Sequence, residues 1–284
     1  YSRPLISYLL EGKTDLERMK YRPDSYYEEM GVRTRLGVRA AALQPEEHKV
    51  VLEGGEELSY DKLLVATGST PFVPPLEGLD TVEKQFTFLS LDDGKKLEAA
   101  LTPESRVFIL GAGLIGLKCA EGIARRVRSV EVADLANQVL PSILDEEGAK
   151  RVQAHLEKQG LTFHLGDTVA RFSGNTATLQ SGASVNFDVL VLAVGVRPNV
   201  SLVQDAGGRV ERGVVIDSTG LTTLPDVYAA GDCCQSYDST SGENKVLALL
   251  PNAYFQGECA GKTMAGEASS FTRAMPMNAI GFFG

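Results

Sequence analysis

The sequence has few of the residues that build metal centres or thiol-based active sites. It contains three histidines and four cysteines among 284 residues. The histidines show no ligand spacing, and the cysteines fit neither a zinc site nor a C-x-x-C redox pair. These absences disfavour a metal site and a Ser-His-Asp arrangement, and the cysteine usage favours a reducing, cytoplasmic compartment. The residues concerned are His48, His155, His164, Cys119, Cys233, Cys234 and Cys259.

A surplus of basic residues and a long apolar run are also missing. The chain has 28 Lys and Arg against 37 Asp and Glu, a formal net charge of −9. Nucleic-acid binding needs cationic phosphate contacts, so this balance disfavours a nucleic-acid partner and stays compatible with a basic protein acceptor. No stretch approaches the roughly 18 to 20 apolar residues of a membrane span, and we expect no membrane insertion.

What is present is a chain long enough for about two domains. Strand-like and helix-like segments alternate over residues 106–165, which predicts a parallel sheet with helices on both faces. Residues 48–60 and 170–187 are typical of antiparallel hairpins. The predicted fold class is therefore α/β with antiparallel β-meander insertions. Further predicted elements are a helix at 24–30, strands at 31–43, 61–69, 106–110, 129–134 and 161–165, and helices at 90–101, 114–126, 145–160 and 252–265.

A glycine-rich loop follows a fully apolar strand in FILGAGLIGLKCAEG, residues 108–122. Its G-x-G-x-x-G pattern stands between a predicted strand and a predicted helix, the context of a dinucleotide-binding loop. We expect Gly111 to permit the tight turn and Gly113 to let a pyrophosphate approach. Gly116 and Gly122 would let the helix lie close to the sheet, and free N–H groups at the helix start would face the phosphates. The candidate binding residues are Gly111, Gly113, Leu114, Ile115 and Gly116.

An acidic residue closes the next predicted strand. Asp134 lies 23 residues after Gly111. A carboxylate there accepts the ribose hydroxyls of NAD and repels the 2′-phosphate of NADP, and Leu135 follows rather than an arginine. The sequence therefore favours NADH. The alternative is an exposed strand-end carboxylate without a ligand.

Two more predicted strands end in small residues, VATGS at 65–69 and AVGVRPN at 193–199. Small residues allow a ligand to lie against the backbone. The alternative is a pair of routine turns. The candidate ligand-lining residues are Ala66, Thr67, Gly68 and Gly195.

The segment TLPDVYAAGDCC at 223–234 is the most specific motif of the chain. With the other segments, in the same order, it makes nearly the whole chain resemble the pyridine nucleotide-disulfide oxidoreductases, flavoproteins that bind two dinucleotides. The resemblance implies that Gly231 and Asp232 contact FAD, with the Asp carboxylate accepting a ribitol hydroxyl. The other matching segments are YSRPLISYLLEG at 1–12, YDKLLVATGS at 60–69, the glycine loop at 111–116 and AVGVRPN at 193–199.

The same resemblance implies further FAD contacts and a domain order. Ala66, Thr67 and Gly68 would line the flavin, and Arg3 and Pro4 would lie near the isoalloxazine ring, unless Arg3 is a solvated terminal charge. An NAD-binding domain would be inserted into an FAD-binding domain. The predicted ranges are 1–88 for the first part of the FAD-binding domain, 89–208 for the NAD-binding domain and 209–284 for the second FAD-binding part.

The chain departs from the family pattern in three respects. The family's N-terminal glycine loop and C-terminal interface domain are absent, so we expect a piece of a longer protein that forms a possible homodimer. Segment 1–12 has no cysteine, which disfavours disulfide reduction, and Cys233 and Cys234 are expected to be buried small hydrophobic residues rather than a redox pair. Lys118 replaces an acidic residue near the nicotinamide, where it either alters nicotinamide placement or is a solvated helix charge.

These features predict an FAD-dependent oxidoreductase that takes a hydride from NADH. The resemblance implies hydride transfer to FAD, with the two rings stacked at the domain junction, because the cofactor supplies the chemistry. Electrons would then pass to an acceptor: a small iron-sulfur protein, oxygen or a partner subunit. The alternatives are a nicotinamide-nucleotide-binding module without turnover, and a scaffold for a redox partner.

Overall fold

The computed structural model describes residues 1–277 and 279–284 and divides into two compact units. The first comprises Tyr1–Met30, Pro71–Val196 and Gly281–Gly284, and the second comprises Gly31–Thr70 and Arg197–Ile280. The chain therefore leaves the second unit at about residue 70, builds most of the first, and returns at about residue 197. Residues 1–30, which the sequence assigned to the first part of the FAD-binding domain, lie in the first unit, so each unit interrupts the other along the chain, and the predicted domain order stays a prediction.

The helices and strands are numbered in chain order. The helices are α1 (Ile6–Leu10), α2 (Tyr26–Glu29), α3 (Leu91–Ala100), α4 (Leu114–Ile123), α5 (Glu146–Lys158), α6 (Ser201–Gln204) and α7 (Leu250–Met264). The strands are β1 (Ala40–Gln44), β2 (Lys49–Leu52), β3 (Glu57–Ser59), β4 (Leu63–Val65), β5 (Ser69–Pro71), β6 (Gln85–Thr87), β7 (Arg106–Leu110), β8 (Ser129–Asp134), β9 (Leu161–Leu165), β10 (Val169–Ser173), β11 (Thr176–Leu179), β12 (Ser184–Asn186), β13 (Val189–Leu192), β14 (Val196–Pro198), β15 (Val214–Val215), β16 (Val227–Ala229), β17 (Cys234–Asp238) and β18 (Glu243–Lys245).

The described residues of the first unit build a five-stranded parallel sheet in the order β6-β13-β7-β8-β9. Both faces of the sheet are buried. Along β7, Val107 and Ile109 pack into a core that includes side chains of α1, α3, α4 and α5. Phe108 and Leu110 point to the opposite face, against the antiparallel meander β10-β11-β12. Burial on both faces explains why this strand reads as an uninterrupted apolar run.

The prediction of helices on both faces of this sheet is wrong. The second face is covered by the meander, whose Phe172 meets Phe187 at a ring-centroid distance of 6.0 Å. The helices that connect β7 to β8 and β8 to β9 contribute to the core on the first face. This is the geometry that right-handed crossovers in the same direction give.

Residues 1–30 pack with the first unit, and this packing changes the expected role of one glycine. Ile6 and Leu10 of α1 belong to the same core as α4. A Cβ on Gly122 would lie 3.0 Å from the Ser7 carbonyl oxygen and 3.3 Å from the Leu10 Cβ. Gly122 therefore lets α4 approach α1, whereas the sequence predicted that it would let α4 approach the sheet.

The limits of the compact units differ from the predicted domain limits of 88/89 and 208/209. Strand β6 lies before residue 89 but pairs with β13, so it belongs to the first unit. Helix α6 lies before residue 208, but its Val203 packs with Leu43 and Leu224 of the second unit. Which cofactor each unit binds stays a prediction at this point.

The described residues of the second unit build three small sheets, and strand β5 pairs with β14. Strands β1, β2 and β3 form the antiparallel sheet, with the predicted hairpin between β2 and β3. Strands β4 and β16 pair in parallel, and β17 pairs with β15 and β18. The strand predicted over 31–43 begins only at Ala40, because Gly37 turns the chain with a φ of +73° and Leu36 is 85% exposed.

In the described part of the chain, the helices are all too short or too polar to cross a bilayer.

Candidate functional site

The glycine loop lies at the carboxyl end of β7, in the first unit. Gly111 follows the strand with a φ of +117°, and a Cβ on it would lie 2.3 Å from the Ala193 carbonyl oxygen. A Cβ on Gly116 would lie 2.0 Å from the Gly111 carbonyl oxygen. Both positions therefore exclude any side chain, the first because of backbone conformation and contact, the second because of contact alone.

Gly113 has a different environment. Its φ is −77°, which any residue adopts, and no described atom lies within 4 Å of a Cβ built on it. The space beside Gly113 is thus open, as expected for a position where a ligand approaches the backbone. The environments of Gly111 and Gly116 agree with a tight turn and close helix packing, and the phosphate-facing role of Gly113 stays a prediction.

The N-terminus of α4 is available to an anion. No described side chain caps it, and the bond from the Leu117 N–H to the Gly113 carbonyl, at 3.0 Å, begins the helical ladder. The N–H groups of Leu114, Ile115 and Gly116 precede that bond and point out of the helix start. Together with the helix dipole they form a cradle that fits a pyrophosphate.

Asp134 ends β8 beside this loop, and its carboxylate is already engaged. Oδ2 accepts a hydrogen bond from the Ala112 N–H at 2.7 Å, and Oδ1 accepts one from the Ala136 N–H at 2.8 Å. The side chain is half-buried rather than exposed, and its contact with a ribose stays a prediction. Each oxygen retains capacity for a second hydrogen bond, so Asp134 both shapes the loop and remains able to accept ribose hydroxyls.

Gly195 follows β13, the neighbour of β7 in the sheet. Its φ is +128°, and no described atom lies within 4 Å of a Cβ built on it. Its carbonyl accepts a hydrogen bond from the Phe72 N–H at 2.9 Å. The glycine loop, Asp134 and Gly195 therefore gather at the carboxyl edge of one parallel sheet, where ligands of such sheets bind.

A second cluster forms in the second unit, where β4 and β16 run in parallel. The Ala230 N–H donates to the Val65 carbonyl at 3.1 Å, so the segments that follow the two strands are neighbours. Gly68 and Gly231 have φ values of +66° and +81°. The Ser69 hydroxyl donates to the Asp232 carboxylate at 3.3 Å. Exposed Ala66 and Thr67 complete a strand-end cluster of small residues with one carboxylate, which fits the ribitol part of a flavin.

Two polar residues of this cluster were not predicted as site residues from the sequence. Gln256 of α7 accepts the Gly231 N–H at 2.7 Å through its side-chain oxygen. Asn199 bonds to the loop at 67–70 through its side chain and its backbone. Asn199 is the last residue of the AVGVRPN segment at 193–199. The sequence identified this motif, but it could not predict the contacts of Asn199 with residues 67–70.

Residues 1–257 match the family described as pyridine nucleotide-disulphide oxidoreductase. The chain belongs to this family. Its members are FAD-dependent oxidoreductases that use NAD(P)H, so the predicted family and its cofactors FAD and NAD are confirmed.

Similar proteins support this membership. The chain is 30% identical to the epsilon subunit of NADH-dependent phenylglyoxylate dehydrogenase from Aromatoleum evansii, over 100% of this chain and 68% of that protein. It is 31% identical to an NADH oxidase from Methanocaldococcus jannaschii, over 95% of this chain and 63% of that protein. The solved structure of reduced Bacillus anthracis CoADR-RHD has a TM-score of 0.94 at 22% identity, over 100% of this chain and 53% of that chain, which shows the shared fold.

Two residues that the family resemblance placed near the flavin lie in the first unit. Arg3 and Pro4 belong to an exposed 3-10 turn, Arg3–Leu5. They are not in the unit that contains Ala66, Gly231 and Asp232, and their predicted contact with the flavin stays a prediction.

Lys118, the departure from the family in the glycine-loop helix, is not a solvated charge. Its side chain is 15% exposed and forms an ion pair with Glu121, whose side chain is 3% exposed. The ammonium also lies 4.8 Å from the ring centre of Tyr8 and 5.5 Å from that of Phe282. Glu121 accepts the Phe283 N–H with its other oxygen. The family has an acidic residue at the position of Lys118. In this chain the acidic residue is Glu121, about one helical turn later, where it is buried and paired with Lys118.

The four cysteines of this family member lie in buried environments. Among the described residues all four are free and buried, and no group of His, Cys, Asp or Glu could hold a metal ion. Burial raises the pKa of the Cys119 thiol. The interaction with Cys234 lowers the pKa of Cys233, and the same interaction, with burial, raises the pKa of Cys234.

Proposed function

We propose that the protein is the nucleotide-binding part of an NADH-dependent flavoprotein oxidoreductase, in which a hydride passes from NADH to FAD and two electrons pass on to an acceptor. The observation that carries this proposal is the uncapped start of α4 beside the open face of Gly113. The first N–H groups of α4 have no side-chain cap and lie beside Gly111 and Gly116, where a side chain does not fit. Unpaired N–H groups at a helix start do not stabilise the fold, but they can bind a phosphate.

The residues divide into two binding sets. The set in the first unit would hold NADH, with the pyrophosphate on the helix start and the ribose on the strand-end carboxylate. The set at the β4 and β16 strand ends would hold FAD. The NADH set is Gly111, Gly113, Leu114, Ile115, Gly116, Asp134 and Gly195. The FAD set is Ala66, Thr67, Gly68, Gly231 and Asp232, with Arg3 and Pro4 as further candidates.

NADH is favoured over NADPH for an electrostatic reason. A carboxylate at Asp134 attracts ribose hydroxyls and repels the two negative charges of a 2′-phosphate. Two relatives are also named for NADH. When bound, the flavin supplies the redox chemistry by accepting the hydride with a proton, and the residues of this chain bind and orient the two cofactors.

Asp134→Ala tests the nucleotide choice. We expect NADH to bind about tenfold more weakly and the preference for NADH over NADPH to shrink, because a hydrogen-bonding charge is lost at the ribose. Asp145→Ala is the matched control, since Asp145 also accepts a backbone N–H, from Gly148 at 2.8 Å, in the same unit but outside the site. An unchanged NADH to NADPH ratio in Asp134→Ala would reject this role.

The acceptor is proposed by class. One relative is named as an NADH oxidase and another as a dehydrogenase subunit, which favours oxygen or a partner subunit as the acceptor. A small iron-sulfur protein is the third candidate acceptor. The absence of cysteine from segment 1–12 and the burial of the four cysteines disfavour a thiol relay.

A binding module without turnover is the second candidate. The chain spans 68% and 63% of the length of the two relatives above. An absorbance spectrum of the purified protein with added FAD, followed by anaerobic NADH titration, separates the candidates. Bleaching of the flavin band supports the oxidoreductase, and its reoxidation by air, by a ferredoxin or by neither identifies the acceptor class. NADH binding without flavin binding would replace the first candidate by the second.

A further inference from the structure

Asn199 directs both its backbone groups and both its side-chain groups at one short loop, residues 67–70. Its side-chain amide donates to the Thr67 carbonyl at 2.8 Å, and its side-chain oxygen accepts from the Thr70 hydroxyl at 3.1 Å. Its backbone N–H donates to the Gly68 carbonyl at 2.9 Å, and its carbonyl accepts from the Thr67 hydroxyl at 2.7 Å. All of these residues belong to the second unit.

Residues 69 and 70 belong to strand β5, which pairs with β14, whereas Ala66, Thr67 and Gly68 precede that strand and have few other contacts. Ala66, Thr67 and Thr70 are exposed, and Gly68 adopts a φ of +66°. Small exposed side chains bury little apolar surface, and glycine has the largest conformational entropy to lose. Ahead of the paired strand, hydrogen bonds from Asn199, about 130 positions away, therefore restrict Thr67 and Gly68 more than their own side-chain packing does.

The restraint extends to the carboxylate of the same cluster. Ser69 stands in the middle of the clamped loop, is 6% exposed, and donates to the Asp232 carboxylate at 3.3 Å. A loop that moved would move this donor with it. Asn199 thus bears on the position of Gly68 and, through Ser69, on that of Asp232.

We propose that Asn199 is a positioning residue of the flavin site. It holds the segment Ala66–Gly68 and the Asp232 carboxylate in their binding geometry before FAD arrives, so that binding does not have to order the loop. This inference rests on the proposed function, because it assumes that FAD occupies the cluster at the ends of β4 and β16.

The test measures FAD affinity and the spectrum of bound flavin in the purified protein. We expect Asn199→Ala to raise the dissociation constant for FAD about tenfold, which corresponds to 1.4 kcal/mol, and to shift the absorbance bands of bound flavin. Thr70→Val removes one of the bonds from the other partner and should weaken binding about threefold. The double variant should bind no more weakly than Asn199→Ala, because the two changes remove a shared contact.

Asn186→Ala is the matched control. Asn186 also accepts a threonine hydroxyl, that of Thr176 at 2.9 Å, but it lies in the meander of the first unit. Its loss should leave FAD affinity and the flavin spectrum unchanged, so a general effect of losing an asparagine is separated from an effect at the flavin.

The outcomes distinguish this inference from the proposed function. Wild-type affinity and spectrum in Asn199→Ala, or effects of Thr70→Val and Asn199→Ala that add fully, would overturn the positioning role while FAD binding stands. If Asn199→Ala does not fold, Thr70→Val decides, and equality with Asn186→Ala counts against the role. A wild-type protein that binds NADH and no FAD would overturn the proposed function itself.

Discussion

At the scale of single residues, the glycine loop separates two reasons for having no side chain. At Gly116 the molecule itself fills the place of a Cβ, since the Gly111 carbonyl oxygen would be 2.0 Å away. At Gly113 no described atom fills that place within 4 Å. At Gly113, which lies at the start of the uncapped helix α4, this open space is where a phosphate ligand is proposed to approach.

This difference gives a paired prediction. Gly116→Ala should lower the free energy of unfolding by about 3 kcal/mol, because backbone atoms must move apart. Gly113→Ala should leave the midpoint of thermal unfolding within a few degrees of wild type while raising the NADH dissociation constant at least about tenfold, because the methyl group occupies the phosphate approach. Thermal unfolding and NADH fluorescence titration measure the two effects.

Gly257→Ala is the control for adding a methyl group to a helical glycine, since no described atom lies within 4 Å of a Cβ at Gly257 in α7. It should stabilise the protein by about 0.5–1 kcal/mol through helix propensity. Equal NADH affinity in Gly113→Ala and wild type would mean that the open space is not the phosphate site.

At the scale of elements, the strands β7 and β13 are joined at their start by one ion pair. Asp188 accepts hydrogen bonds from Nε and Nη2 of Arg106, at 3.0 and 2.9 Å, and from its backbone N–H at 2.8 Å. The Arg106 side chain, with its backbone N–H, lowers the pKa of Asp188 from 3.8 to about 2. The pair ties together the strands that end in the glycine loop and Gly195.

The pH dependence of stability follows from the direction of that shift. The folded pKa is depressed, so the stabilisation is present above about pH 4 and is lost as pH falls through 2. Because the side chains are 40% and 38% exposed, solvent screening reduces the contribution to about 1 kcal/mol. Asp188→Asn should therefore be less stable than wild type at pH 7 and lose less between pH 4 and pH 2 in urea unfolding.

Arg106→Lys is the companion variant, because lysine keeps the charge without the two-pronged geometry. Arg106→Lys should therefore lose less free energy of unfolding, relative to wild type, than Asp188→Asn loses. Parallel pH profiles for wild type and Asp188→Asn between pH 4 and pH 2 would contradict the assignment.

Helix α4 supplies a second prediction at this scale, since it buries a charge pair. Lys118→Met leaves the Glu121 carboxylate 3% exposed without its cation, which should lower the free energy of unfolding by about 3 kcal/mol. Lys118→Met combined with Glu121→Gln should recover much of that loss, because an amide is neutral and can still accept the Phe283 N–H. Urea unfolding of both variants measures the difference.

The exposed pair Lys150 and Glu146 on α5 offers the comparison, with side chains 70% and 75% exposed. Lys150→Met should cost less than about 0.5 kcal/mol. If Lys118→Met costs no more than Lys150→Met, the ion pair on α4 is not what neutralises Glu121.

At the scale of the whole molecule, the proposed NADH and FAD sites lie in different compact units, so the effects of the two ligands can be measured separately. Hydrogen exchange should show NADH protecting amides at 111–117 in the first unit, and FAD protecting amides at 66–69 and 230–233 in the second, because ligand binding suppresses local opening at the occupied site. Each ligand is added alone, and the meander β10-β11-β12 serves as the internal reference. Protection by NADH in the second unit without any in the first would reverse the assignment of the sites.

The sequence by itself determined the local elements around the nucleotide loop. Strands β7, β8 and β9 have the predicted limits, because short apolar runs bounded by glycine or charge leave little freedom in where a buried strand begins and ends. The need for glycine at Gly111 and Gly116 was also predictable, since a strand, a tight turn and a helix in succession constrain the backbone within ten residues.

Only the tertiary structure decided the contacts that join distant segments. The meander on the second face of the sheet, the buried Lys118 and Glu121 beside Phe282, the backbone donors that occupy Asp134, and the clamp of Asn199 on residues 67–70 all depend on partners brought near by folding. A charged or amide side chain shows the same local pattern in sequence whether it meets water or a partner more than a hundred residues away. Its burial and its hydrogen bonds are fixed only when the core places that partner beside it.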